Sequence, residues 1–185
     1  DNERIILALT AIGKDPANVG GENLLKALQD KDIMKVTDTS NTDINGLVMG
    51  LLALNSRNYT SDTSWLVQAV LAQQNEDGSW GASADTKSVG DVDMTAMAVQ
   101  ALAPYYENAQ VKAAVDAALT FLAGVQNDDA TFSEIPGTDA SAESTAQVIV
   151  ALTALGIDPT ADSRFVKSGV SVVDALCGFY VTGGG

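Results

Sequence analysis

The sequence predicts an all-α chain built from recurring helix pairs, and three observations carry that prediction. Ala8-Leu9-Thr10-Ala11-Ile12-Gly13-Lys14-Asp15-Pro16 returns as Ala151-Leu152-Thr153-Ala154-Leu155-Gly156-Ile157-Asp158-Pro159 with two changes. Weaker copies marked by Ala53-Leu54 and Ala101-Leu102 lie between them, at successive spacings of 45, 48 and 50 residues. Repeats at such periods are the signature of arrays of one supersecondary unit. No segment alternates apolar and polar residues with period two for long enough to predict a sheet.

Each mark closes a first-series helix. In the two strong copies the stop is a glycine at the position after the helix, where positive φ costs little, followed by proline, which cannot continue it. Ten residues before the later marks stand Asp43, Asp91 and Ser141, and eight before stand Asn45, Asp93 and Glu143. The first set suits an N-cap, and the second suits the positive end of a helix dipole. The helix over Thr145–Leu155 is apolar almost all round, which predicts that it is enclosed on most sides.

A second series falls between the marks, over Asn23–Leu28, Ser64–Gln74, Val111–Gln126 and Val172–Tyr180. In the third of these, Val111, Val115, Leu119 and Leu122 share one stripe while Lys112, Asp116 and Thr120 share another, the pattern of a helix with one wet face. Alternating enclosed and half-wet helices describe a two-layer α/α toroid of about four pairs. An open helical solenoid has the same local pattern. The expectation is a single domain over residues 1–185, cut from a larger protein.

The loops carry a second duplication: Gln74-Asn75-Glu76-Asp77-Gly78-Ser79-Trp80 aligns with Gln126-Asn127-Asp128-Asp129-Ala130-Thr131-Phe132. A glutamine at a helix end satisfies open backbone groups, a polar turn follows, and an aromatic ring folds back into the core. A structural tie is the first reading of this loop, and a ligand loop is the second.

Ten Lys and Arg against 24 Asp and Glu give a net charge of −14 without any basic cluster. That balance disfavours nucleic acid and anionic membrane as partners. No leader and no apolar run of membrane-spanning length is visible, so no membrane insertion is expected. The single Cys177 stands in an apolar run and is expected in the core. Asp77, Asp85, Asp128 and Asp129 lack the spacing of a complete Ca²⁺ loop, and no metal or other cofactor is expected. Asn58-Tyr59-Thr60 is formally a glycosylation sequon.

Gln-rich helix ends followed by Asp-Gly-Ser-Trp, together with Asp91-Val92-Asp93-Met94-Thr95-Ala96-Met97-Ala98, resemble the repeat of squalene cyclases and protein prenyltransferases. The likeness extends to the non-enzymatic-looking versions of that repeat on bacterial, especially Gram-positive, surface proteins. The resemblance implies an α/α toroid of about six helix pairs, so four would be an incomplete ring with apolar faces at its ends, suited to homodimerisation. It also implies an extracellular or cell-surface location.

In the cyclases of that superfamily an Asp-x-Asp-Asp motif supplies the initiating proton, and Asp93 would inherit the role. Here the fourth motif position is Met94, and proton donation needs a carboxyl held protonated by its surroundings. The first-series helices offer almost no aromatic lining for a carbocation. With no His and one Cys, the zinc site of a prenyltransferase and a His-dependent triad both lack their residues. The expected function is therefore a non-catalytic binding or scaffold module that presents the toroid rim to a ligand or protein. Its candidate ligand-binding residues are Asp91, Asp93, Thr95, Gln100 and Tyr105. The alternatives are corrinoid-like small-molecule capture, and a cyclase-like enzyme using Asp91 and Asp93.

Overall fold

The computed structural model describes residues 2–29, 43–57, 59, 62–82 and 88–181. Asn58, Thr60 and Asp85 lie outside these, so neither the sequon nor that loop acid is addressed. The described residues are mostly helical, with only two-residue strands. Their contacts gather into two compact units, one ending at Gln73 and one beginning at Gln74.

The first unit holds α1 (Asn2–Ala11), α2 (Leu24–Gln29), α3 (Ile44–Asn55) and α4 (Ser64–Leu71). Here α1 packs on α3, and α3 on α4. Ile44, Leu47, Val48, Leu51 and Leu54 of α3 are fully or almost fully buried. The Thr10 and Tyr59 hydroxyls meet at 2.8 Å. The second unit holds β1 (Trp80–Gly81), β2 (Gly90–Asp91), α5 (Val92–Leu102), α6 (Ala109–Val125) and α7 (Ala142–Ala154), followed by β3 (Val166–Lys167), β4 (Val170–Ser171) and α8 (Val172–Cys177). Here α5 packs on α7 and α6, and α7 on α8.

Odd-numbered helices are the first series and even-numbered ones the second, in the predicted order. The duplicated stop is duplicated in geometry. Gly13 has φ +71° and Gly156 φ +72°. Lys14 N donates to Leu9 O at 2.8 Å and Ile157 N to Leu152 O at 3.0 Å, the same closing bond in both copies. After each stop comes a tight reversal absent from the sequence reading. Val19 bridges Glu22 across Gly20 and Gly21, and β3 pairs with β4 across Ser168 and Gly169. All four central residues have positive φ, as two-residue type I′ turns require.

Two expectations need correction. Cys177 is exposed, not in the core. It ends a six-residue helix whose buried residues are Val172 and Ala175, and two residues beyond Ala175 the helix has turned about 200°. Nor is α7 enclosed on most sides: Val150 is 39% exposed, and only Ser144, Thr145, Val148, Ala151 and Leu152 are buried.

Candidate functional site

The acids at the start of α5 are first of all helix-start chemistry. Asp91 takes the N-cap, and its Oδ1 accepts from Met94 N at 2.8 Å. Asp43 and Ser141 do the same for α3 and α7, accepting from Asn45 N and Ser144 N. Asp93 and Glu143 lie in the first turns of α5 and α7. Asp91 is buried, and that burial raises its carboxyl above the ordinary range; the Met94 N–H opposes the shift, while Asp93 and Glu134 reinforce it.

A capping role separates two substitutions. Asp91→Ala loses the cap and is expected to cost about 1 kcal/mol. Asp91→Asn keeps an acceptor for Met94 N and removes a buried charge beside two acids, so it should be at least as stable as the native chain at pH 7. Because the folded pKa is raised, the folded state holds the extra proton, and native stability falls as pH climbs from about 3.9 through that raised value. Urea unfolding from pH 4 to pH 7 should show this decline in the native chain and a flatter profile in Asp91→Asn. Equal slopes would remove the burial argument.

Thr95 is fully buried and consumed by the first loop tie. Its hydroxyl donates to Asp91 O at 2.6 Å and accepts from Trp80 N at 2.9 Å. Thr145 repeats both contacts, with Ser141 O at 2.7 Å and Phe132 N at 3.0 Å. The rest of the tie is duplicated as well. Gln74 Nε2 donates to Gly78 O and Ala114 O, both at 2.8 Å; Gln126 Nε2 donates to Ala130 O at 3.0 Å and Phe165 O at 3.2 Å. Asp77 Oδ1 accepts from Ser79 N and Asp129 Oδ1 from Thr131 N, each at 3.0 Å. Trp80 and Phe132 end fully buried. The loop is a structural tie, and Thr95 is buried within it, its proton already donated to Asp91 O.

The sequence proposed Tyr105 as a partner of the acids, but the fold keeps them apart. Tyr105 lies in the 3₁₀ turn Ala103–Tyr105 beyond the C-terminus of α5. It stands twelve positions on from Asp93, a rise of about 18 Å along the helix axis. Nearby Tyr106 donates to Asp116 Oδ1 at 2.6 Å and accepts from Lys112 Nζ at 2.8 Å.

What remains accessible on α5 is one stripe: Asp93, Met97 and Gln100 are its only residues that are not buried. These positions are four and three residues apart, one face of a helix. The stripe of α7 at the equivalent positions is Glu143, Gln147 and Val150, none of them buried. The two stripes join where Gln147 Nε2 donates to Gln100 Oε1 at 3.3 Å. Asp93 Oδ1 is buried and has no hydrogen-bond partner. Sequence reasoning found Asp93 and Gln100 but missed Met97, Glu143 and Gln147 as part of the same surface. The offset of 50 residues between the two helices was the signal that would have found them.

Among the described residues no group of His, Cys, Asp and Glu is placed to hold a metal ion. Nor is any described helix long and apolar enough to cross a membrane. Comparison with protein-family models, with curated proteins and with solved structures returned no match.

Proposed function

We propose that this chain is a non-catalytic binding or scaffold module of a bacterial cell-surface protein, built as an α/α toroid of the terpenoid cyclase and prenyltransferase type. The toroid and the surface location rest on the resemblance of the repeat. Four alternating helix pairs and two matching loop ties are what such a repeat should leave in a fold. The binding face is the joined stripe of α5 and α7: Asp93, Met97 and Gln100 beside Glu143, Gln147 and Val150.

One observation carries this reading: at the position where a cyclase would keep its proton donor, Asp93 offers a buried carboxylate oxygen with no partner beside an accessible strip that includes the apolar Met97 and Val150. An unpaired buried acceptor is costly unless a donor arrives. The strip therefore suits a ligand with a hydrogen-bond donor or cationic end and an apolar body. The aromatic rings Trp80 and Phe132 are fully buried in the ties, so neither presents a π-face to a carbocation.

The test has two arms. Incubation with prenyl diphosphates and squalene should give no product. Amide shift mapping against a library of amine-bearing fragments should move Asp93, Met97, Gln100 and Gln147 while leaving Gln74–Trp80 still. Turnover that disappears in Asp93→Asn would replace this reading with the cyclase one, and shifts confined to other surfaces would remove it.

A further inference from the structure

The starts of α5 and α7 flank one segment of chain. Val92 N donates to Glu134 O and Ser141 N to Phe132 O, each at 2.8 Å, so Phe132–Glu134 is bonded to both helix starts. With their starts together and Gln147 Nε2 on Gln100 Oε1, the two helices pack side by side and run in the same direction. Ser144 stands three residues before Gln147 and Asp93 seven before Gln100. The two are therefore offset by four residues of rise, about 6 Å along the helix axes.

Both carry a buried polar atom that lacks a partner, Asp93 Oδ1 and Ser144 Oγ. Asp93 is part-exposed, but Ser144 is 0% exposed, and a buried hydroxyl left unpaired is costly. Nothing in the helix start requires a hydroxyl at that position. The cap is made by Ser141, whose Oγ accepts from Ser144 N, and the tie is made by Thr145. The corresponding residue of α5 is Met94, which has no hydroxyl at all.

The charges around this pair share one sign. Asp91, Asp93, Glu134 and Glu143 stand on or between the two starts. Asp91, whose carboxyl is raised first by burial, is raised further by Asp93 and Glu134. The described basic side chains of the second unit are bonded elsewhere: Lys112 to Asp116, Arg164 to Asp162 and Lys167 to Ala123 O. Two helix starts supply a charge of about +0.5 each, which leaves most of the negative charge uncompensated.

We propose that the space between the starts of α5 and α7 takes the primary ammonium end of the ligand, which donates to Asp93 Oδ1 and Ser144 Oγ while its alkyl body lies along Met97. This rests on the strip being the binding face, and it names the class of ligand the strip takes. The part-exposed Asp93 is the point of entry. An ammonium is a compact point charge with three donors, whereas a guanidinium is a rigid planar fork matched to the two oxygens of one carboxylate. Two single acceptors on separate helices fit the first, since contacts of about 2.8 Å to each span their offset. A carboxylate-ended ligand would be repelled, and a neutral hydroxyl would leave the negative charge standing.

The experiment is amide shift titration at pH 7 with hexylammonium, 1-hexanol and hexanoate, on the native chain, Asp93→Asn and Ser144→Ala. Hexylammonium should move the amides of Asp93, Met97 and Ser144, with hexanol weaker by about tenfold or more and hexanoate without effect. Asp93→Asn should weaken hexylammonium by about tenfold and Ser144→Ala by about threefold to tenfold. In urea, Ser144→Ala should unfold no earlier than the native chain, because the hydroxyl it removes has no partner. A serine with a merely structural role would give the reverse, lower stability with unchanged affinity, and would overturn the proposal. Nα-acetyl-lysine amide distinguishes the source of the ammonium: tighter binding than hexylammonium points to a lysine side chain, weaker binding to a free amine. Hexanol binding the strip as tightly as hexylammonium would overturn the ammonium assignment and leave the strip as the binding face. No shift on the strip with either ammonium at about 10 mM, enough to populate even a millimolar complex, would remove both.

Discussion

Truncating either tie ring is expected to be among the most damaging single changes in the second unit: Trp80→Ala and Phe132→Ala should each cost about 3–5 kcal/mol. Both rings are fully buried. Each also sits where backbone groups are held by the following first-series helix, Trp80 N by Thr95 Oγ1 and Phe132 N by Thr145 Oγ1. Removing the ring leaves a void and loosens the pairing of Trp80 with Asp91 or of Phe132 with Ser141. Those partners are the N-cap residues of α5 and α7, so the helix starts should fray as well. Equilibrium urea unfolding measures the loss, and amide exchange locates it: protection should fall first at Met94 or Ser144, whose N–H groups the caps hold. A loss below about 1 kcal/mol would mean that the rings are not core elements, and the tie reading would then give way to a ligand loop.

How far the sequence reaches depends on whether a feature is written locally. The helix stops at Gly13 and Gly156, the caps at Asp43, Asp91 and Ser141, and the loop ties were legible because each is decided within a few residues. The chain states each of them two or three times, so chance is a poor explanation of the pattern. The reversals at Val19–Glu22 and Val166–Ser171 escaped notice because two-residue strands have no period to detect. Gly20-Gly21 and Ser168-Gly169 were nonetheless turn signals in plain view.

Exposure was less legible, since it depends on neighbours that a single helix does not name. α5 and α7 are similarly apolar, yet eight of the eleven residues of α5 are buried and only five of the thirteen of α7. Cys177 stands in an apolar run that points to the core, whereas a six-residue helix offers too short a register to say which side an end residue takes. Of the candidate site, Asp93 and Gln100 fall on one accessible face, Asp91 and Thr95 are absorbed into a cap and a tie, and Tyr105 lies at the other end of the helix. Residue type had grouped them, and helix geometry separates them.

Gly78→Ala should cost about 2–4 kcal/mol, although the second loop carries alanine at the same position. Gly78 has φ +89°, and a Cβ added there would stand 2.6 Å from Ala117 O and 2.7 Å from Ala117 C, both backbone atoms of α6 that cannot step aside. The left-handed conformation adds about 1 kcal/mol for a residue with a Cβ, and forced overpacking about 1–3 kcal/mol. Ala130 tolerates the same turn, with φ +68°, as a fully buried residue. The two loops share their hydrogen bonds but not their surroundings: Gln74 reaches Ala114 O on α6, whereas Gln126 reaches Phe165 O in the segment before β3. Close approach of a helix backbone is thus what demands glycine in the first loop, whereas in the second the Cβ of Ala130 is accommodated at a similar positive φ. Chemical denaturation of Gly78→Ala and Ala130→Gly checks this directly. The first should lose several-fold more stability than the second changes it, and equal effects would place the glycine requirement in the turn itself.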